Sequence, residues 1–311
     1  MRPFLAFVAV MACGSAAAGD STLGADIKQG AQDAIADVVT SVKDWQLNAG
    51  RLRQLQNTLA NGADPAAMAE LEKLARAGNS TALNFMGWLL DHGKGGVPRD
   101  SYKAAAYFRA AAMKGDGNGL YNLALLLQQG RGVSANKVMA ADLLKKAMLQ
   151  HHKYAAVRLG MLAEETRKYE EAARAYSVAS SDKIHDFAIY RQGVLTFRGP
   201  GGGSRPDTKN GLMLITRAAT LWNAEAMATL TEIYGQGIFV PKNRVEAGKW
   251  MEILRQNPNR RGTPPPTRTT LGLSDAEVDQ VKDAVKIWLH FHPAPATATR
   301  TNYETTIYQD V

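Results

Sequence analysis

The chain has 311 residues, of which 45% are hydrophobic and 21% are charged. This composition is that of an ordinary globular protein and excludes a wholly disordered or fibrous chain. The 37 Lys and Arg residues outnumber the 29 Asp and Glu residues, giving a formal net charge of +8 that permits an acidic partner. The basic residues are scattered and form no stripe interleaved with aromatic residues, so we expect no nucleic-acid partner.

The N-terminus has the three parts of a secretory signal. Met1-Arg2-Pro3 is followed by an apolar run to Ala12 and by a small-residue A-x-A site that ends at Ala18. This pattern predicts a signal peptide over residues 1–18, and the apolar run is too short to span a bilayer. We therefore expect an exported protein of the periplasm, or a secreted one, with no integral membrane segment after cleavage.

A lipid anchor at Cys13 is the alternative, if residues 10–13 act as a lipobox. Cys13 is the only cysteine of the chain, and cleavage after Ala18 would remove it. The mature protein would then have no disulfide in an oxidising compartment, so its stability would depend on packing alone.

Residues 19–78 predict an N-terminal helical cap. Apolar residues at helical spacing between residues 23 and 60 predict one long helix, or two with a break near residues 48–50. Asp64 followed by Pro65 then predicts the N-cap and the first residue of a further helix, which we expect to continue over residues 66–77.

Residues 79–256 contain a pattern that recurs with a step of about 36 residues. Each unit has a helical run, a glycine turn such as Gly93 and Gly95 or Gly130 and Gly132, and a second helical run. A single helical hairpin cannot bury its apolar face alone, so successive hairpins must stack. The sequence therefore predicts an all-α solenoid of about five helical hairpins.

A column of polar residues supports this alignment. Four of them lie four residues before a small residue of a second helix: Asp100, Asn136, Asp207 and Asn243. Their side chains can accept hydrogen bonds from N–H groups of the first helical turn, so they are predicted N-caps. The third unit has Lys168 at this position, and we expect its turn to be built differently.

The C-terminal part departs from the repeat. Residues 257–273 are rich in Pro, Arg and Thr and predict a semi-rigid linker. Ser274 and Glu277 form a capping box that starts a helix over residues 274–292, whose apolar stripe either covers the end of the last repeat or docks a partner. Residues 293–311 are expected to form a disordered tail.

The repeats resemble the Sel-1-like repeat family, a branch of the tetratricopeptide-like α-solenoids. The first unit carries the resemblance through Ala82, Met86-Gly87, Gly93, Gly95, Val97, Asp100, Ala104, Tyr107-Phe108, Ala111-Ala112 and Gly115. The second unit matches it through Gly119, Leu123-Ala124, residues 130–133, Asn136, Ala140 and Ala147. The resemblance implies protein–protein interaction, as an adaptor or regulator in the bacterial envelope. A protein that associates with peptidoglycan or polysaccharide is the alternative.

The resemblance also implies which residues line a concave groove. They occupy the face of each first helix opposite a column of small residues at positions 82, 119, 155, 188 and 226, which we name the small-residue column. The groove residues are Asn84, Trp88, Asp91, Tyr121, Leu125, Gln128, Tyr154, Val157, Tyr190 and Phe197. Trp and Tyr offer large contact areas with a polar end, which suits a peptide or protein partner. The alternative is that these rings only pack against the next repeat.

No pattern in the sequence indicates catalysis. The six histidines have no metal-ligand spacing on one helix, so no metal site is expected. No phosphate loop, nucleophile elbow or dinucleotide fingerprint is present, so we expect no cofactor and no catalytic residue. Residues 180–183 fit the S-x-x-K pattern of penicillin-binding enzymes, but the S-D-N and K-T-G triplets are missing. We therefore expect no β-lactam chemistry.

Overall fold

The computed structural model describes residues 49–181, 185–199, 205–258, 260 and 271–295. The predicted signal peptide, the segment up to residue 48, most of the predicted linker and all but the first three residues of the predicted tail lie outside these ranges. The described residues contain helices and no β-strand. The chain divides into two compact units, Met1–Asp100 and Ser101–Val311.

The described part of the first unit contains three helices. They are α1 (residues 49–61), α2 (Pro65–Arg76) and α3 (Ser80–His92), and α2 packs against α3. The Asp64 side chain accepts a hydrogen bond from the Ala67 N–H across 2.9 Å, and Pro65 is the first helical residue, as predicted. Gly93 ends α3 in a left-handed conformation with φ of 64°, which glycine adopts without steric cost.

The second unit is a series of helices that each pack against the next one in the chain. They are α4 (Ser101–Met113), α5 (Gly117–Gln129), α6 (Lys137–Leu149), α7 (Lys153–Glu165), α8 (Tyr169–Ala179), α9 (Asp186–Arg198), α10 (Thr208–Thr220), α11 (Ala224–Gln236), α12 (Arg244–Arg255) and α13 (Asp275–Phe291). Leu126 of α5 and Leu144 of α6 are fully buried, and each such side chain contributes about 1.5–3 kcal/mol of stability. The predicted all-α solenoid is confirmed.

The caps fix where each helix begins. Three predicted caps are confirmed: Asn136, Asp207 and Asn243 each accept a hydrogen bond of 2.9–3.0 Å from the backbone N–H three residues later. Lys168 makes no side-chain cap, as expected.

In the second unit, α5, α7, α9 and α11 are the first helices of their hairpins. Three of them have side-chain caps that were not predicted. The side chains of Asp116, His152 and Asn223 accept hydrogen bonds from the N–H groups of Gly119, Ala155 and Ala226. Each of these acceptors lies three residues before a member of the small-residue column. The acceptors and the small residues therefore both mark the start of a first helix.

The C-terminal helix α13 packs against α12. The capping box at Ser274 and Glu277 is present, as predicted. Val281 and Val285 of α13 are buried in one apolar cluster with Trp222 and Trp250. This contact favours the interpretation that α13 covers the end of the array.

Candidate binding surface

The predicted groove residues are placed mostly inside the protein. Seven of the ten are buried: Asn84, Asp91, Tyr121, Leu125, Tyr154, Val157 and Phe197. A buried side chain cannot contact a partner without rearrangement, so the packing interpretation is favoured for these seven. The three that keep part of their surface exposed are Trp88, Gln128 and Tyr190. Trp88 belongs to the first unit, where its ring stacks on His92 with centroids 4.5 Å apart.

The buried rings of the second unit form a ladder between successive first helices. Tyr121 of α5 stacks on His152, the cap of α7, with ring centroids 5.1 Å apart. Tyr154 of α7 then contacts His185, which precedes α9, in an edge-on arrangement at 5.4 Å. Each ring thus contacts the start of the next first helix, which explains why Tyr121 and Tyr154 are buried.

His152 is held in one tautomer by its two hydrogen bonds. Its Nδ1 accepts from the Ala155 N–H across 3.0 Å, so Nδ1 carries no proton. Its Nε2 lies 3.0 Å from Oδ1 of Asn118 and donates to it. The imidazole is therefore neutral and joins α5 to α7.

A strip of half-buried side chains crosses the first helices of the second unit. Arg158 Nε of α7 donates to Gln128 Oε1 of α5 across 2.5 Å, and Arg191 Nε of α9 donates to Glu164 Oε2 of α7 across 3.1 Å. The hydroxyls of Tyr190 on α9 and Thr229 on α11 are 3.0 Å apart. We name this set the first-helix strip: Gln128, Arg158, Glu164, Arg191, Tyr190 and Thr229.

The centre of the strip carries charge. Tyr176 of α8 donates its hydroxyl hydrogen to Glu164 Oε2 across 2.8 Å. Burial, and then the negative charge of Glu164, raises the pKa of Tyr176 far above its ordinary value, so the hydroxyl stays a donor. Burial tends to lower the pKa of Arg191, but the hydrogen bonds and charge of Glu164 outweigh it and raise that pKa.

Two further titratable groups lie at the start of α9. Burial, and then the charge of Lys153, lowers the pKa of His185. Burial also raises the pKa of Asp186, although the Asn223 amide donates a hydrogen bond to its carboxylate across 2.8 Å. This bond links α9 to the cap of α11, so it holds two hairpins together.

Sequence reasoning found only part of the first-helix strip. Gln128 and Tyr190 were predicted, whereas Arg158, Arg191 and Thr229 were not. These three residues lie three positions after the small-residue column formed by Ala155, Ala188 and Ala226. The signal in the sequence is that a polar residue occupies this same position in three successive repeats.

The chemical groups of the first-helix strip are suited to binding. Among the described residues, no group of three or more His, Cys, Asp or Glu side chains could hold a metal ion. In the same part of the chain, no helix has both the length and the apolar character needed to cross a membrane. The strip offers guanidinium, carboxylate, amide and hydroxyl groups, which recognise a polar partner through hydrogen bonds.

The stacked hairpins and their period define the class of protein, a helical repeat solenoid. The family model described as Sel1 repeat matches three segments of the chain, residues 80–116, 117–152 and 224–254. The chain therefore contains three Sel1 repeats, and repeats of this kind are typical of protein-interaction scaffolds. The structure also contains the hairpins α7–α8 and α9–α10, which lie between the matched segments.

Two solved structures have a similar fold. One is c5321, described as a protective antigen present in uropathogenic Escherichia coli strains that displays an SLR fold, with 20% identity and a TM-score of 0.58 over 76% of this chain. The match spans only 53% of the length of c5321. The other is a Sel1 repeat protein from Oxalobacter formigenes, with 23% identity and a TM-score of 0.58 over 79% of this chain and 98% of the other. At these identities the similarity shows the fold alone.

Proposed function

We propose that this protein is an exported, non-enzymatic adaptor or regulator of the bacterial envelope that binds a protein partner along the first-helix strip. The observation that carries the proposal is that three pairs of side chains link four successive first helices. Because each pair joins neighbouring hairpins, the strip is held in one arrangement before a partner arrives. Such preorganisation reduces the entropy lost on binding.

The strip keeps hydrogen-bonding capacity for a partner. Arg158 uses its Nε for Gln128, and the Nη groups of its guanidinium remain available, because an Arg side chain has several N–H donors. The Tyr190 ring is partly exposed beside Arg191, whose guanidinium carbon lies 5.9 Å from the ring centroid. Tyr and Arg are residues that contribute strongly to protein interfaces.

The proposal of export rests on the N-terminal pattern, and it predicts a defined mature N-terminus. Mass spectrometry of the protein recovered from the cell envelope is expected to show a chain that begins at Gly19. A chain recovered from the cytoplasm that begins at Met1 would contradict export. A lipid-modified N-terminal Cys13 would support the anchor instead.

The binding proposal is tested by comparing two Arg substitutions. Arg158→Gln, combined with Thr229→Val, alters the strip, whereas Arg174→Gln alters an exposed residue of α8 outside it. We expect the mature protein and the Arg174→Gln control to capture the same partner from a periplasmic extract, and the double variant to lose it. Circular dichroism would show that all three proteins are folded. Equal capture by all three would contradict a role for the strip.

A sedimentation assay with purified sacculi separates the protein-binding function from its alternative. We expect the mature protein to stay in the supernatant when no other protein is present. Direct sedimentation with the sacculi, abolished by the double variant, would instead support a peptidoglycan-binding function.

A further inference from the structure

The second helices α4 and α6 carry the same pattern of exposed side chains. Each helix has three such side chains on one face, since a helix turns by about 100° per residue. An apolar residue comes first, a cation follows seven positions later, and a second apolar residue lies eleven positions after the first. The residues are Tyr102, Arg109 and Met113 on α4, and Val138, Lys145 and Leu149 on α6. The apolar side chains are largely exposed, at 77% for Tyr102, 83% for Met113, 77% for Val138 and 70% for Leu149.

The two helices approach each other at both of their ends. At one end, Gly132 in the turn before α6 is so close to the first residue of α4 that a Cβ atom on it would lie 2.1 Å from the Ser101 carbonyl oxygen. At the other end, a Cβ atom on Gly117, four residues after α4, would lie 3.3 Å from Oε1 of Gln150, just beyond α6. We name the six residues of the two stripes the α4/α6 face.

This part of the chain holds most of the protein's excess positive charge. Residues 101–153 contain eight cationic side chains against two carboxylates, a net charge of +6 out of the total of +8. The cations are Lys103, Arg109, Lys114, Arg131, Lys137, Lys145, Lys146 and Lys153, and the carboxylates are Asp116 and Asp142. Asp116 is engaged as the cap of α5.

Several of these cations are available to a partner. Within the described ranges, Arg109, Lys145 and Lys146 have no hydrogen-bond or ion-pair partner. Asp142 is the one carboxylate of α6, and it is exposed one turn before Lys145 and Lys146. The positive charge of the α4/α6 face is therefore mostly unbalanced by the protein itself.

We infer that the α4/α6 face is a second docking surface, which binds an acidic protein partner. Exposed Tyr and Met side chains beside Arg match the composition of protein interfaces, where these residue types are enriched. Cations without a partner attract carboxylates and speed association with an acidic surface. The face differs from the first-helix strip in both position and charge, so it can engage a partner of its own.

Other occupants fit less well. Two copies of this face would bring clusters of positive charge together, which is unfavourable for a symmetric dimer. A membrane surface requires an apolar face that enters the lipid and a separate charged face. Here Arg109 lies between Tyr102 and Met113, and insertion of these apolar residues would carry the guanidinium into the lipid.

Site-specific photocrosslinking in the cells that make the protein tests this inference. The photoreactive residue benzoylphenylalanine is introduced at Tyr102 or Val138, or at Met213 as a control. Met213 is an exposed apolar residue of α10, 60% exposed, outside the α4/α6 face. We expect the same acidic protein to crosslink at positions 102 and 138 and not at position 213.

Charge reversal then tests the chemistry of the contact with the purified crosslinked partner as the probe. The Arg109→Glu, Lys145→Glu double variant is expected to weaken its binding at least tenfold, and Met213→Ser is expected to leave it unchanged. Thermal unfolding of both variants should match that of the parent protein, because all three side chains are exposed. Arg158→Gln on the first-helix strip should leave the crosslinks at 102 and 138 intact, even if the function proposed for that strip is wrong.

Three outcomes would overturn the inference. The first is the absence of any protein adduct at both positions. The second is an adduct of the chain with itself, accompanied by a dimer in sedimentation velocity. The third is binding of the parent protein, but not the charge-reversal variant, to phosphatidylglycerol vesicles without a protein adduct.

Discussion

Arg191 of α9 and Glu164 of α7 are joined by a hydrogen bond of 3.1 Å from Nε to Oε2, and a second bond links the guanidinium Nη2 to Oε1. Tyr176, from the intervening helix α8, donates to the same carboxylate. The three groups connect two consecutive hairpins at a half-buried site, where the exposed fraction is 16% for the Glu164 side chain and 30% for that of Arg191. The contact is therefore less screened by water than a fully exposed ion pair.

The first prediction concerns the strength of this contact. Glu164→Gln is expected to lower the free energy of unfolding by about 1–2 kcal/mol, because it replaces charge-assisted hydrogen bonds with neutral ones. Arg191→Met should cost a similar amount, and the double variant should cost less than the sum of the two. Urea unfolding of the four proteins measures the coupling. Strictly additive losses would show that the two side chains do not stabilise each other.

The second prediction concerns the backbone at the end of α6. His151 is exposed and has φ of 62°, a left-handed conformation that costs a non-glycine residue about 1–2 kcal/mol. His151→Gly should raise the free energy of unfolding by about 0.5–1 kcal/mol, since the greater flexibility of glycine in the unfolded chain offsets part of the relief. Thermal or urea unfolding measures the change.

Gly115 provides a matched control one repeat earlier. It has φ of 79° and no atom within 4 Å of a Cβ placed on it, so steric contact does not complicate its substitution. Gly115→Ala is expected to destabilise the protein by about 1 kcal/mol, the opposite sign to His151→Gly. The same sign for both substitutions would contradict the explanation based on φ.

The third prediction concerns pH. The pKa of His185 is lowered from its ordinary value of 6.5 by burial and by the charge of Lys153. Just below pH 6.5 the unfolded chain binds a proton at this residue and the folded chain does not, so stability falls as pH falls through that window. The free energy of unfolding of the wild-type protein should decrease more steeply below pH 6.5 than that of His185→Gln.

Asp186 supplies the contrast to His185. Burial raises its pKa above the ordinary 3.8, so the folded chain holds this proton more tightly than the unfolded chain. Stability is then lost as pH rises from 3.8 through the folded-state pKa. Asp186→Asn should therefore reduce the loss of unfolding free energy that occurs as pH rises above about pH 4. This effect is opposite in sign to that of His185. If His185→Gln left the slope below pH 6.5 unchanged, the burial of His185 would not control it.

Residue patterns in the sequence were sufficient for the architecture of the array. The caps Asn136, Asp207 and Asn243 were predictable because a helix start is stabilised by a side-chain acceptor three residues before an N–H group, a purely local condition. The same condition applies to Asp116 and Asn223, which could have been predicted as well. His152 was harder to predict, because an imidazole caps a helix only when its Nδ1 carries no proton, a state that the hydrogen bond to Asn118 favours here.

The binding surface was less predictable, because it depends on how neighbouring hairpins are spaced. Tyr121 lies on the predicted face, but the start of α7 is close enough for its ring to stack on His152, so the ring is buried. The pairing of Arg158 with Gln128 joins residues 30 positions apart, and helical periodicity within one unit does not indicate it. The basic residues looked scattered along the chain, and the equivalent positions of Arg109 in α4 and Lys145 in α6 become clear only once the bounds of the two helices are known.

The last prediction concerns the C-terminal helix as the cover of the array. The Trp288 ring contacts those of Trp222 and Trp250 edge-on, with centroids 5.4 and 5.7 Å away. Trp288→Ala should lower the free energy of unfolding by about 2–3 kcal/mol, because it removes these contacts and leaves a gap beside α12. Ile287, the preceding residue, is 62% exposed, and Ile287→Ala should change stability by less than about 0.5 kcal/mol. Urea unfolding of the two variants beside the parent protein measures the difference. Similar losses would show that the contacts of Trp288 with Trp222 and Trp250 contribute no more to stability than an exposed side chain does, which would contradict the role of α13 as a cover.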